Sequence, residues 1–119
     1  LEENIKIAAN TPPNSLSIED ENILKNVGNI YRDKIKVNCT QCGYCMPCPN
    51  GVLIPGNFST YNNSFMFNDL EGAKKHYNAF FVKSKRSAEN CIECGLCLDK
   101  CPQQIPIIDE LKKVAELFK

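Results

Sequence analysis

Residues 39–51 read CTQCGYCMPCPNG: four cysteines, each two residues from the next, closed by Pro49 and an Asn50-Gly51 turn. The pattern recurs. Residues 91–102 read CIECGLCLDKCP, so Cys39, Cys42 and Cys45 return 52 positions later as Cys91, Cys94 and Cys97. Cys48-Pro49 returns after 53 positions as Cys101-Pro102. Each copy then reaches an Ile-Pro pair, Ile54-Pro55 and Ile105-Pro106, from which a helix is expected to start. Two copies of one unit imply a pseudo-two-fold arrangement with two equivalent sites.

These clusters hold all 8 cysteines of the chain. Thiols two residues apart pair poorly with one another, and no secretory signal opens the sequence, so bound metal is favoured over disulfides. Three thiolates at C-x2-C-x2-C come from one turning loop and cap one face of a cubane, each sulfur on a different iron. In two-cluster C-x2-C-x2-C-x3-C-P sequences the fourth cysteine ligates the other cluster. The second run has that spacing; the first is one residue short, with only Met46 and Pro47 between Cys45 and Cys48. The fourth thiolate points away from its own loop's cluster, so the deletion is tolerable. One 4Fe–4S cluster is therefore assigned to Cys39, Cys42, Cys45 and Cys101, and the other to Cys91, Cys94, Cys97 and Cys48. Zinc is the nearest rival, because tetrahedral sulfur sites suit it too, but structural zinc usually draws cysteine pairs from separated loops. Gly43 and Gly95 follow the second cysteine of each copy and are expected to let backbone N–H groups approach the cluster sulfurs. Full thiolate ligation leaves no open iron, which argues against iron–sulfur hydratase chemistry.

The rest of the composition limits the alternatives. The 119 residues are 43% hydrophobic but contain no Trp and only 6 Phe, so the core is modest and metal is expected to help hold it. Lys+Arg and Asp+Glu number 14 each, which argues against a nucleic-acid surface. No apolar run approaches the roughly 20 residues of a membrane span. A cytoplasmic protein is expected. The chain starts at Leu1 inside apparent helix, and is expected to be a piece of something longer.

Helical periodicity dominates the remainder, and no segment sustains period-2 alternation, so the expected class is all-α. LEENIKIAAN is a helix broken by TPPNS. Ser17 then caps an amphipathic helix to about Lys34, carrying Ile23, Leu24, Val27, Ile30 and Tyr31. Pro55 opens a helix with Phe58, Tyr61 and Phe65; Asp69 caps another with Leu70, Ala73, Tyr77, Phe80 and Phe81. Pro106 opens the last, with Ile107, Leu111, Val114, Leu117 and Phe118. Residues 1–36 are expected to form a helical connector and residues 37–119 the two-cluster domain. Phe58, Tyr61, Phe65, Phe67, Tyr77, Phe80 and Phe81 are expected to form core around the clusters. His76, the only histidine, is expected on a solvated helix face, and the KSKR run at 83–86 in a solvated turn.

CTQCGYCMPCPNGVLIPGNFSTYN and CIECGLCLDKCPQQIPI resemble the C-terminal ferredoxin-like extension of bacterial and archaeal aldo/keto reductase-family oxidoreductases, over nearly the whole chain. The resemblance implies an α-helical ferredoxin-like domain whose helix pairs clasp two clusters. It also implies a preceding (β/α)8 barrel, whose last cofactor-contacting helix LEENIKIA resembles. Glu3 and Asn4 then match a pair at the adenine end of NADP(H) in the full-length protein. The barrel's hydride-transfer residues would precede Leu1, and the chain alone is not expected to turn over substrate.

The function these readings imply is electron transfer by two 4Fe–4S clusters, between a redox partner protein and the barrel. The alternative is a structural cap, stapled by iron–sulfur clusters or zinc, for docking or oligomerisation.

Overall fold

The computed structural model describes residues 1–119, and its regular structure is helical throughout, with no β-strand. The all-α expectation holds. Packing divides the chain into two units, Leu1–Arg32 and Asp33–Lys119.

The first unit contains α1 (Glu2–Asn10) and most of α2 (Ile18–Lys34). Ser17 Oγ accepts the Asp20 N–H at 3.1 Å while Asp20 Oδ2 accepts the Ser17 N–H at 3.2 Å. This is a capping box built with Asp, and it satisfies two of the N–H groups that a helix start leaves open. Glu19, Asp20 and Glu21 put negative charge at the positive end of the helix dipole. Neither helix buries a residue; Ile23, Leu24, Val27, Ile30 and Tyr31 form the expected stripe on α2 and are all exposed.

The second unit carries α3 (Ile54–Met66), α4 (Leu70–Tyr77), a π-helical turn (Asn78–Val82), a 3-10 turn (Ala88–Asn90) and α5 (Ile107–Phe118). Pro55 sits in the first turn of α3, where its missing N–H costs nothing. Asp69 caps α4 by accepting the Gly72 N–H at 2.8 Å, and Lys74, Lys75 and His76 complement the dipole at the other end. On α5, Ile107, Leu111, Val114 and Phe118 recur at helical spacing and are all buried. Each such side chain contributes about 1.5–3 kcal/mol by leaving water.

This stripe meets Val52, Ile54, Phe58 and Tyr61 from the α3 region and Tyr77, Phe81 and Ala88 from the segment after it. Tyr77 is the pivot: fully buried, it stacks on Phe118 at 4.5 Å and on Phe81 at 5.5 Å between ring centroids. Gly56 lets Phe81 lie against α3, since a Cβ there would come 2.9 Å from its ring. The buried apolar set numbers thirteen residues, a small core, and six of the eight cysteines are partly buried against it.

Two expectations need correction. The Ile-Pro pairs are not equivalent, since Pro55 lies inside α3 whereas Pro106 precedes α5 as its cap residue. Helix start matches helix start at Ile54 and Ile107, the same 53-residue offset as Cys48 and Cys101. Phe67 and Phe80 are not core; they are 73% and 64% exposed. Phe67 follows the end of α3, and the widened π turn directs Phe81 inward and leaves Phe80 outside, stacked beside the exposed His76 at 4.6 Å.

The Tyr77 hydroxyl accepts the Ala88 N–H at 2.8 Å, and burial pushes its pKa up to about 12, so it stays a neutral phenol at ordinary pH. Tyr77→Phe keeps the stacking but strands a buried N–H. The expected loss is about 1–3 kcal/mol of stability, read by denaturant unfolding of wild type and variant in the same metal state.

Candidate metal centres

The two cysteine runs form loops with almost no regular backbone pairing, and they repeat one another in conformation as well as in sequence. Gln41 and Glu93 adopt left-handed φ values of 57° and 56°; Gly43 and Gly95 follow at 79° and 78°. The Met46 N–H donates to the Gly43 carbonyl at 2.9 Å, and the Leu98 N–H to the Gly95 carbonyl at 3.0 Å. Past the fourth cysteines, Gly51 and Gln104 are again left-handed, and their N–H groups donate to the carbonyls of Cys48 and Cys101, each at 3.0 Å. In the shorter first copy the Met46-Pro47 peptide is cis.

Each loop is anchored by side chains outside it. Ahead of Cys39, Asn62 of α3 accepts the N–H groups of Lys36 and Val37 at 3.0 Å and donates to the Val37 carbonyl at 2.7 Å. The Cys39 N–H donates to that same carbonyl at 2.8 Å. Ahead of Cys91, Asn57 of α3 donates to the Arg86 carbonyl at 2.9 Å and to the Leu53 carbonyl at 2.8 Å. Tyr77 holds Ala88, and the Cys91 N–H donates to the Ala88 carbonyl at 3.0 Å. Asn50, just past the first run, donates to the Asn90 carbonyl, tying the end of one loop to the start of the other. Sequence reading placed Asn50 in a turn but missed the anchoring role of all three asparagines. The available signal was their placement: Asn interrupts helix propensity unless its amide has a partner to reach, and α3 carries it in PGNFSTYNNSFM. Asn57 Oδ1 is buried without a hydrogen-bond partner.

The loops enclose two hollows. One, of about 20 Å³, is lined by Cys39, Cys42, Cys45 and Cys101 and walled by Ile54, Phe58, Ile105 and Ile107. The other, of about 240 Å³, is lined by Cys45 and Cys48 of the first run and Cys91, Cys94 and Cys97 of the second, so that Cys45 lines both hollows. Ile54, Ile108 and Leu111 form its apolar wall. Each hollow thus draws thiols from both copies of the repeat. Within each copy the second cysteine is exposed and the other three are partly buried. Gly43 and Gly95 line the hollows, and a Cβ on either would meet no protein atom within 4 Å. What these two positions require is their left-handed backbone, together with open space on the side of the thiols.

Burial pushes the Cys45 thiol up, and Cys39, Cys97 and Cys42 push it further. Cys97 is pushed up in the same way, by burial first and then by Cys91, Cys94 and Cys48. Backbone hydrogen bonding opposes part of each shift. Crowded thiols resist becoming thiolates together, and a bound cationic centre removes that resistance. The donor set fits an iron–sulfur centre: no carboxylate or imidazole lines either hollow. No three His, Cys, Asp or Glu side chains gather as one metal ion would require; the thiols surround space instead.

Glu3 and Asn4 lie in the first unit, exposed on the first turn of α1. His76 is exposed at the rim of a separate hollow of about 420 Å³ between α3 and α4, with Asn63 and Asp69. No helix is long and apolar enough to cross a membrane.

Helices clasping two loops of four thiols define a two-centre, ferredoxin-like iron–sulfur domain. Residues 38–105 match the family model described as the 4Fe-4S dicluster domain, and the chain belongs to that family. Comparison with curated proteins and with solved structures gave no match.

Asn62→Ala removes three hydrogen bonds at the entrance to the first loop and strands the N–H of the buried Val37. The expected cost is about 1–3 kcal/mol in unfolding free energy. Hydrogen exchange should also quicken at residues 36–39 before it does in α5.

Proposed function

We propose that this chain is an electron-transfer module holding two 4Fe–4S clusters, one on Cys39, Cys42, Cys45 and Cys101 and the other on Cys91, Cys94, Cys97 and Cys48. The observation that supports the reading is that each hollow joins three thiols of one run with the fourth of the other, Cys45 lining both. When bound, such clusters supply reversible one-electron chemistry. The chain's own contribution is positioning and shielding. Ile54 lines both hollows, and Ile105, Ile107, Ile108 and Leu111 keep water from the inner faces. Cys45 lines both hollows and shares the larger one with Cys97. The exposed Cys42 and Cys94, beside exposed Tyr44, Ile92 and Leu96, give each centre an outward edge toward a partner.

The motif resemblance supports a finer reading. The domain would be the C-terminal part of a cytoplasmic aldo/keto reductase-family oxidoreductase, residues 1–36 the connector from its barrel, and Glu3 and Asn4 the adenine-end contacts of NADP(H). Electrons would then pass between a redox partner protein and the barrel.

Anaerobic reconstitution should yield about eight irons per chain with matching sulfide, and EPR signals on reduction. Stoichiometric zinc without iron uptake would sink the reading, and redox-silent clusters would favour a purely structural staple. Cys48→Ala should lose the centre at Cys91, Cys94 and Cys97 and keep about four irons. The EPR signal surviving in that variant should be the one lost in Cys101→Ala. The opposite assignment would disprove the crossing.

A further inference from the structure

The repeat is broken at one place that matters electrostatically. Between its third and fourth cysteines the second run has Leu98, Asp99 and Lys100, where the first has only Met46 and Pro47. The longer link brings Lys100 into the lining of the larger hollow, the only charged residue on either lining. Lys100 forms no ion pair, whereas Lys112 is paired with Glu93 at 2.8 Å. The Cys39, Cys42, Cys45 and Cys101 hollow is lined by uncharged residues alone and is far narrower, at about 20 Å³ against about 240 Å³.

We infer that Lys100 makes the two centres unequal, holding the one at Cys48, Cys91, Cys94 and Cys97 at the higher reduction potential so that it is reduced first. The inference rests on the two-cluster reading above. Reduction adds one electron from an external one-electron donor, makes and breaks no bond, and leaves a thiolate-bound centre more negative by one charge. The positive charge of Lys100, an exposed residue of that lining with no ion-pair partner, stabilises the reduced form more than the oxidised one. Lys100 thereby gives the module a direction. Electrons collect at the second site, whose rim carries the exposed Ile92 and Leu96.

The test is an EPR-monitored redox titration of the reconstituted full chain. Wild type should show two separate one-electron steps, and Cys101→Ala should retain the upper one. Lys100→Gln should lower the upper step and leave the lower in place; Lys100→Glu should lower it further, and Lys100→Arg should restore it. Lys75→Gln, a charge removed from the exposed face of α4, should move neither. An upper step that ignores Lys100, or that belongs to the first centre, overturns the inference while leaving the two-cluster module intact. Absence of any reducible centre defeats both.

Discussion

A loop that must turn three thiols toward one point cannot also run as helix or strand, so its backbone groups lack the partners that regular structure supplies. Here the partners come from outside. Asn62 and Asn57 reach from one helix, α3, to the chain ahead of each loop, and Tyr77 takes the Ala88 N–H just before Cys91. The placement of all eight thiols depends on this arrangement. If α3 shifts, both loop entrances shift with it, because two asparagines five residues apart hold the two sites on one rigid element.

That dependence also explains the economy of the core. Thirteen buried apolar residues are few for the loop they must stabilise, and several serve twice: Ile54, Phe58, Ile107 and Leu111 belong to the core and also wall the hollows. Burial and neighbouring cysteines make Cys45 and Cys97 resist ionisation, and a bound cationic centre would remove that resistance. The apolar residues that wall the hollows are the same ones that hold α3 to α5.

The repeat is a two-fold plan with local departures. Backbone conformation follows it closely, down to paired left-handed residues at Gln41 and Glu93, Gly43 and Gly95, Gly51 and Gln104. Burial follows it as well, with Val52 matching Ile105 and Ile54 matching Ile107. The departures lie where the chain does not touch its own pseudo-equivalent: the one-residue difference before the fourth cysteine, and the unequal approach to α3 and α5. An alignment by Ile-Pro pairs misreads the second, because proline is accepted both at a helix cap and in the first turn, and residue type alone does not separate those positions.

Cysteine spacing, the 52-residue repeat, the caps at Ser17 and Asp69 and the apolar stripe of α5 were legible in the sequence, because each follows from local geometry over three or four residues. The helical class followed from the same periodicity. Other features were settled only by tertiary structure, because they depend on groups far apart in the chain. Such contacts determine which apolar side chains wall each hollow, which aromatics turn inward when a π turn rotates Phe81 in and Phe80 out, and which asparagines anchor the loops. They also bring Lys100 to one hollow while leaving the other without charge. Local spacing specifies how a loop turns; long-range packing decides what it turns toward.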